Sequence, residues 1–173
     1  MIYGFAFTKR NISSYTLYNL TGLDRRNLLW GVKSIKQYCD ILLHDQPNYI
    51  LGLGIYTGRD KDKIRIEQSC SNRYRSKIIH NETELQVPIN PFIQPGKLSK
   101  LTDGIGTSYC NYISFQIIGL INSGKLCSKY TFLHIPSSFD RQLAIAEINQ
   151  MLTHLMLEFN QSCQNPNQLT LGI

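Results

Sequence analysis

Short apolar runs recur along the chain and predict buried strands. Residues 2–7, 49–54 and 130–135 contain almost no polar side chains, a composition typical of strands that are covered on both faces of a parallel sheet. Residues 15–20 are rich in aromatic and β-branched side chains and predict a further strand. Residues 64–67 alternate apolar and polar and predict a shorter one.

Apolar residues at helical spacing predict three helices between these strands. The first runs over residues 25–44, with Asp24 as its cap, and the second over residues 111–122. The third opens after residues 136–138 and carries the clearest stripe of apolar positions in the chain, at Ile148, Met151, Leu152, Leu155, Met156 and Phe159. Residues 80–104 contain three prolines and little periodicity, and we expect mostly loop there.

The alternation of strands and helices favours an α/β sandwich around a mainly parallel, twisted sheet. A length of 173 residues suits one domain spanning residues 1–173. Residues 163–173 are polar and contain Pro166, and we expect them to form a frayed tail.

Composition and charge exclude some classes of protein. A hydrophobic content of 42% excludes a disordered chain. The net charge is +6, and residues 59–77 hold seven basic and three acidic side chains. This stretch is either a phosphate-binding face or a solvated hairpin. We favour the hairpin, because mixed signs are usual on an ordinary surface and no nucleic-acid-binding motif is present.

Cysteine usage and the lack of long apolar runs predict where the protein works. The five cysteines are odd in number and lack any metal-type spacing, which argues against a disulfide scaffold or a metal site. No export signal precedes the first strand, and no run reaches the ~20 apolar residues of a membrane span. We expect a cytoplasmic protein that binds neither membrane nor nucleic acid.

Cys110 is the first candidate for chemistry. It lies where a predicted strand ends and a helix begins, and a helix N-terminus favours the thiolate form of a cysteine. The alternative is that Cys110 is a buried small apolar residue, which is the commoner role of a cysteine at such a place.

His134 and Glu67 are candidate partners of that thiol. His134 lies near the end of a predicted strand, where open α/β sheets hold their ligands. A right-handed crossover would bring it to the same rim as Cys110, so that the imidazole could exchange a proton with the thiol. Glu67 could orient the imidazole. The alternatives are a satisfied core histidine and a salt bridge from Glu67 to a nearby basic residue.

Several segments together resemble pyroglutamyl peptidase I, also called pyrrolidone-carboxylate peptidase. Residues 106–111 read Gly-Thr-Ser-Tyr-Cys-Asn and resemble the family's nucleophile segment, and residues 132–136 resemble its histidine segment. Ile66-Glu67, with Asn72 five residues on, resembles the segment of its glutamate. Residues 4–7 and 49–59 are similar to its N-terminal strand and its glycine-rich turn.

The resemblance implies a three-layer α/β/α sandwich and the removal of an N-terminal pyroglutamyl residue from peptides through a thioester. It makes Cys110 the nucleophile, His134 the general acid–base and Glu67 the group that orients the imidazole. It implies neither a metal nor an organic cofactor, and it implies self-association into a homo-oligomer. Phe5, Phe7 and Tyr109 would form the apolar wall for the substrate ring.

Departures from the family pattern leave the substrate open. Ile55 stands where the family has a substrate-reading glutamine, the first helix is predicted to be missing, and two extra residues precede Glu67. Three functions remain at this point. They are a pyroglutamyl peptidase, an enzyme with the same triad that acts on a peptide or small amide with another N-terminal group, and a non-catalytic protein that binds an anionic partner through residues 59–77.

Overall fold

A six-stranded sheet in the order β2-β1-β3-β10-β4-β9 forms the centre of the molecule. The computed structural model describes residues 1–7, 10–59, 61–80 and 86–164; for residue 156 and residues 158–164 this covers the backbone only. The strands of this sheet are β1 (Ile2–Phe7), β2 (Arg25–Leu29), β3 (Tyr49–Tyr56), β4 (Ile64–Glu67), β9 (Ser99–Thr102) and β10 (Lys129–Pro136).

Four helices and two small two-stranded sheets complete the described chain. The helices are α1 (Ile12–Asn19), α2 (Gly31–Asp45), α3 (Tyr109–Asn122) and α4 (Arg141–Gln164). The small sheets pair β5 (Ser69–Ser71) with β8 (Gln86–Pro88), and β6 (Arg73–Tyr74) with β7 (Lys77–Ile78).

The last strand in the sequence lies in the middle of the sheet. β10 pairs in parallel with β3 along its whole length, from Lys129 opposite Tyr49 to Pro136 opposite Tyr56. On its other side it pairs antiparallel with β4, and this is the one antiparallel pairing of the six strands described. The sheet is therefore mainly parallel, as predicted.

Two apolar layers cover the two faces of the sheet. Leu133 and Ile135 of β10 pack in one cluster with side chains of α1 and α4. Tyr130 and Phe132 of the same strand pack in the other cluster, with side chains of α2 and α3. The predicted three-layer α/β/α sandwich is thus confirmed. We call the second side of the sheet the α3 face; by the period-two alternation of a strand, His134 belongs to it.

The strand expected at residues 15–20 is wrong, because this segment belongs to the helix α1. Asn11 begins the helix: its side chain accepts a hydrogen bond from the Ser14 backbone at 3.0 Å, and the Ser14 hydroxyl is 3.4 Å from the Asn11 backbone nitrogen. This reciprocal capping box starts a helix regardless of the β-branched residues that follow. The expected absence of a first helix is wrong for the same reason.

The helix expected over residues 25–44 is divided into strand β2 and helix α2. Gly31 adopts a φ of +82°, in the left-handed region that glycine tolerates, and the chain turns there between the two elements. Asp24 does not cap a helix; its carboxylate accepts a hydrogen bond from the backbone of Ile2 at 2.6 Å. Leu29, expected on a helix, is a buried strand residue instead.

Two further segments differ from expectation. Residues 103–108 before Cys110 are irregular instead of a strand. The described part of residues 80–104 is mostly loop, as expected, and it also contains the short strand β8 and the edge strand β9. α4 continues to Gln164, so the first two residues of the expected tail are helical, while residues 165–173 lie outside the described chain. Within the part of the chain that is described, no helix has the length and apolar character of a membrane span.

Candidate active site

His134 and Glu67 form a buried hydrogen-bonded pair on the α3 face. His134 Nδ1 is 2.8 Å from Glu67 Oε1, and the glutamate side chain is fully buried. The other carboxylate oxygen accepts a hydrogen bond from the Thr102 hydroxyl at 3.1 Å. Because a carboxylate can only accept, Nδ1 carries the proton and Nε2 presents its lone pair. The structure therefore brings Glu67 to His134 despite the two extra residues before β4.

The antiparallel pairing of β4 with β10 creates this contact. Arg65 stands directly opposite His134, and Leu133 stands opposite Ile66. Residues that oppose each other in an antiparallel pair share a face, as do residues two apart in a strand. Glu67, two residues after Arg65, therefore lies diagonally across from His134 on the same face.

Cys110 is the second residue of α3 and lies over the sheet beside His134. A Cβ built on Gly54 of β3 would stand 2.9 Å from Cys110 Sγ and 2.8 Å from His134 Cδ2. The thiol and the Cδ2 edge of the imidazole thus both lie directly above the same glycine. Any side chain at position 54 would occupy the space between them, so the absence of a Cβ there is a requirement of this geometry.

Burial keeps the Cys110 thiol protonated, contrary to the expectation from its position on the helix. Burial raises the pKa of Cys110 to about 11, and the hydrogen bond from the Ser108 side chain lowers it by less than burial raises it. Desolvation therefore raises the pKa of the Cys110 thiol by more than the helix N-terminus lowers it. A buried thiol of this kind needs a base at the moment of reaction, and His134 is the imidazole whose Cδ2 edge lies with the thiol above Gly54.

The raised pKa of Cys110 predicts the pH dependence of its alkylation. We expect the rate with iodoacetamide, followed by mass spectrometry of the Cys110 peptide, to keep rising up to about pH 11. The reason is that only the thiolate reacts and its fraction grows until the pH passes the pKa. In the urea-unfolded chain the rate should level off above about 8.5, the ordinary thiol pKa. A plateau at neutral pH in the folded protein would contradict this.

The first turn of α3 offers backbone N–H groups to a developing negative charge. The first N–H groups of a helix have no partner within it, and the Ser108 side chain makes no capping hydrogen bond to them. The groups of Tyr109 and Cys110 are thus candidates for an oxyanion hole.

Asn111 holds a neighbouring hairpin against this helix turn. Its side-chain oxygen accepts from the backbone of Ser71 at 2.7 Å, and its amide nitrogen donates to the backbone oxygens of Ser71 and Arg73 at 2.8 and 2.5 Å. The hairpin of β6 and β7 that follows is mostly exposed. The solvated hairpin expected over residues 59–77 is therefore wrong as a whole, because the same stretch includes β4, a largely buried strand of the central sheet.

An aromatic wall adjoins Cys110 on the side of β1. The rings of Phe7 and Tyr109 stack with their centroids 6.3 Å apart and their planes at 30°. Tyr74 adds a third ring, 5.4 Å from Tyr109. Phe5 is fully buried and packs edge to face against Phe7. It therefore lies behind the wall and does not contribute to its exposed surface, unlike the prediction.

Ile55 is the predicted site residue that the structure does not bring to the others. It packs with the cluster on the α1 and α4 side of the sheet. Its neighbour Tyr56 is the residue at the end of β3 on the α3 face, with its ring 6.4 Å from that of His134. Sequence reasoning missed Tyr56, Arg65 and Thr102. The period-two alternation from Gly52 and Gly54 would have indicated Tyr56.

The described side chains form no metal centre: no group of three or more histidine, cysteine or acidic residues stands close enough together to hold an ion. The α/β/α fold brings three buried side chains near one another on the α3 face: the thiol of Cys110, the imidazole of His134 and the carboxylate of Glu67.

Comparison with solved structures shows which proteins share this fold. The pyrrolidone carboxyl peptidase of Thermococcus litoralis superposes with a TM-score of 0.72 at 13% identity, covering 99% of each chain. Pyroglutamyl peptidase I of Bacillus amyloliquefaciens gives 0.70 at 15% identity, over 89% of this chain and 97% of its own. The Thermus thermophilus enzyme gives 0.68 at 16%, over 89% and 100%.

The chain therefore has the fold of the pyrrolidone carboxyl peptidases, and the resemblance noted in the sequence is confirmed at the level of the fold. No protein-family model matches the sequence, and no curated protein matches it either. The sequence has diverged from those structures far more than the backbone has.

Proposed function

We propose that the protein is a cysteine peptidase that removes an N-terminal pyroglutamyl residue from peptides. The observation that carries this proposal is the arrangement above Gly54: Cys110 Sγ and His134 Cδ2 both lie within 3 Å of the position that a Cβ of residue 54 would take, and His134 Nδ1 is 2.8 Å from Oε1 of the buried Glu67. The shared fold of the pyrrolidone carboxyl peptidases supports it.

The first step forms a tetrahedral intermediate that leads to a thioester. Nε2 of His134 takes the proton of the Cys110 thiol while Sγ attacks the carbonyl carbon of the scissile amide. The carbonyl oxygen becomes an oxyanion, which the N–H groups of the first turn of α3 stabilise. Glu67 stabilises the imidazolium through Nδ1–H and remains ionised.

The second half of the reaction releases both products. The tetrahedral intermediate collapses, the C–N bond breaks and the imidazolium of His134 gives its proton to the departing amine. Water then attacks the thioester with His134 as base. The C–S bond breaks, the thiol regains a proton, and free pyroglutamate leaves.

The aromatic wall fits a small flat acyl group. Phe7 and Tyr109 are nearly parallel at 6.3 Å. A planar lactam ring can pack on this wall at a van der Waals contact distance of roughly 3.5 Å. A ring held there would place its exocyclic carbonyl towards the Cys110 thiol.

A panel of coumarin amides tests the proposal. We expect the pyroglutamyl compound to be hydrolysed with the highest kcat/KM, because the flat lactam packs against the aromatic wall, and free prolyl, alanyl and acetyl compounds to be poorer. Fluorescence of the released coumarin measures each rate. Turnover of another small acyl group above pyroglutamyl would favour the same triad acting on a different N-terminal group. Turnover of none of them would contradict a peptidase of either kind.

A further inference from the structure

Arg65 is a largely buried cation beside the catalytic pair that the mechanism above does not use. It stands directly opposite His134 in the pairing of β4 with β10, on the α3 face. Its side chain is 13% exposed, and its Nε donates to Glu67 Oε1 at 3.2 Å, the same oxygen that holds His134.

The Arg65 guanidinium is held in place on one side and open on the other. Its central carbon lies 4.3 Å from the centre of the Tyr56 ring, a cation–π contact that fixes its plane. Because Tyr56 is on β3 and Arg65 on β4, the contact between the two side chains spans β10. Nε makes the one hydrogen bond that the Arg65 side chain has to another described residue. The N–H groups of both terminal nitrogens are therefore available to a ligand.

The order of the strands tells which part of a substrate would meet this group. Phe7 of the aromatic wall belongs to β1, and Cys110 lies over β3. His134 follows on β10, and Arg65 on β4. An acyl group on the wall therefore directs the amine side of the scissile bond over His134, which must protonate it, and on towards Arg65.

We propose that Arg65 binds a carboxylate on the amine side of the scissile amide and so selects substrates that carry one there. This inference rests on the proposed function, since it names the preferred substrates of the same site. The carboxylate is either the free C-terminus of a pyroglutamyl dipeptide or the side chain of an acidic residue that follows the pyroglutamyl group.

The chemistry of the pair favours this assignment. A guanidinium presents its donors in a planar fork that matches a carboxylate, and such charge-assisted hydrogen bonds are stronger where water is largely excluded. Tyr56 and Glu67 already fix the orientation of Arg65. Little side-chain freedom is left to lose on binding, so more of the interaction contributes to selectivity.

Two matched pairs of substrates test the proposal and separate the two sources of carboxylate. The first pair is pyroglutamyl-alanine and its C-terminal amide. The second is the amide of pyroglutamyl-glutamate and the amide of pyroglutamyl-glutamine. We expect the charged member of at least one pair to have a kcat/KM about tenfold higher, the contribution typical of one charge-assisted hydrogen bond. The pair that shows the preference identifies the source.

Variants separate anion binding from a merely structural role. Arg65→Gln should abolish the preference, bringing the charged-to-neutral ratio close to one, whatever happens to the absolute rates. Arg65→Lys keeps the charge without the fork, and part of the ratio should remain. Arg73→Gln, which removes an exposed arginine of β6, is the matched control and should retain the full ratio. A change in the position of Glu67 alone would lower all four rates equally.

Alkylation of Cys110 gives a readout that does not depend on turnover. The ratio of the alkylation rate with the anion iodoacetate to the rate with neutral iodoacetamide should fall about tenfold in Arg65→Gln. The same ratio should not change in Arg73→Gln. A wild-type substrate ratio near one, with pyroglutamyl compounds still hydrolysed, would overturn the role of Arg65 and leave the peptidase intact. If no compound is hydrolysed, the proposed function fails, and the alkylation ratio alone decides whether Arg65 binds anions beside the thiol.

Discussion

Replacing Cys110 with alanine is expected to lower kcat for pyroglutamyl-coumarin by about 10⁴-fold or more, because the variant has no atom to form the thioester. Serine at the same position should be nearly as inactive, since a hydroxyl is far harder to deprotonate than a thiol. Release of the fluorophore over hours measures the residual rate. The folded state should survive, because alanine is close in size to cysteine and introduces no polar group into the surrounding apolar cluster.

The matched control for this substitution is Cys127→Ala. Cys127 is exposed and lies on the loop before β10, remote from the triad. It should retain full activity and full sensitivity to iodoacetamide. A Cys110→Ala protein that hydrolyses the substrate at the rate of the control would show that another group is the nucleophile, and the proposed mechanism would be lost.

Replacing Glu67 with glutamine is expected to lower kcat on the order of 10³-fold with little change in KM. Glutamine keeps the shape of the side chain but not its charge. The imidazolium that forms during attack then loses its counter-charge, and the side-chain amide can turn its NH₂ towards Nδ1 and favour the wrong tautomer. The effect falls on kcat because Glu67 is fully buried behind His134 and does not touch the substrate.

Glu67→Gln also has a structural cost that must be measured separately. The Arg65 guanidinium loses its anionic partner, so we expect a lower midpoint of thermal unfolding. Thr102→Val is the matched control, because it removes the hydroxyl that donates to Oε2 and leaves the carboxylate charged. A kcat in Glu67→Gln no lower than in Thr102→Val would contradict the role given to the carboxylate.

The central strands were predictable because burial on both faces leaves a strong mark in the sequence. β1, β3 and β10 are runs of apolar residues, and each was predicted within two residues of its observed bounds. Their parallel arrangement followed from the helices between them. The candidate triad was predicted from the same strands and from the resemblance of short motifs, without any information on distances.

The failures occurred where local interactions override residue propensity. The segment around Tyr15 looks like a strand by composition, but the capping box at Asn11 begins a helix there. Leu28 and Leu29 fit a helical pattern that the conformation of Gly31 interrupts. A hydrophobic periodicity is averaged over many residues, so one capping residue or one residue with a left-handed φ hardly changes it. Each of them nevertheless decides whether a helix begins or a strand ends at that point.

The parts of the site that were missed depend on registry between distant strands. Arg65 faces His134 only because β4 runs antiparallel to β10, and no pattern within residues 64–67 indicates this direction. Ile55 was chosen because it stands where the family that the sequence resembles has a substrate-reading glutamine, whereas the alternation of side chains turns Tyr56 to the α3 face in its place.

The central position of β10 has a consequence for the order in which the chain can fold. β3 and β4 precede β10 in sequence, yet they are separated in the sheet by it. A nascent chain that has not yet produced residue 129 therefore lacks both β10 and His134, and it exposes two strand edges without partners. Contacts between residues 67 positions apart, such as Glu67 and His134, form late because closing so long a loop is entropically costly. Insertion of β10 completes the sheet and assembles the thiol, imidazole and carboxylate in the same event, so a partly synthesised chain has no competent site.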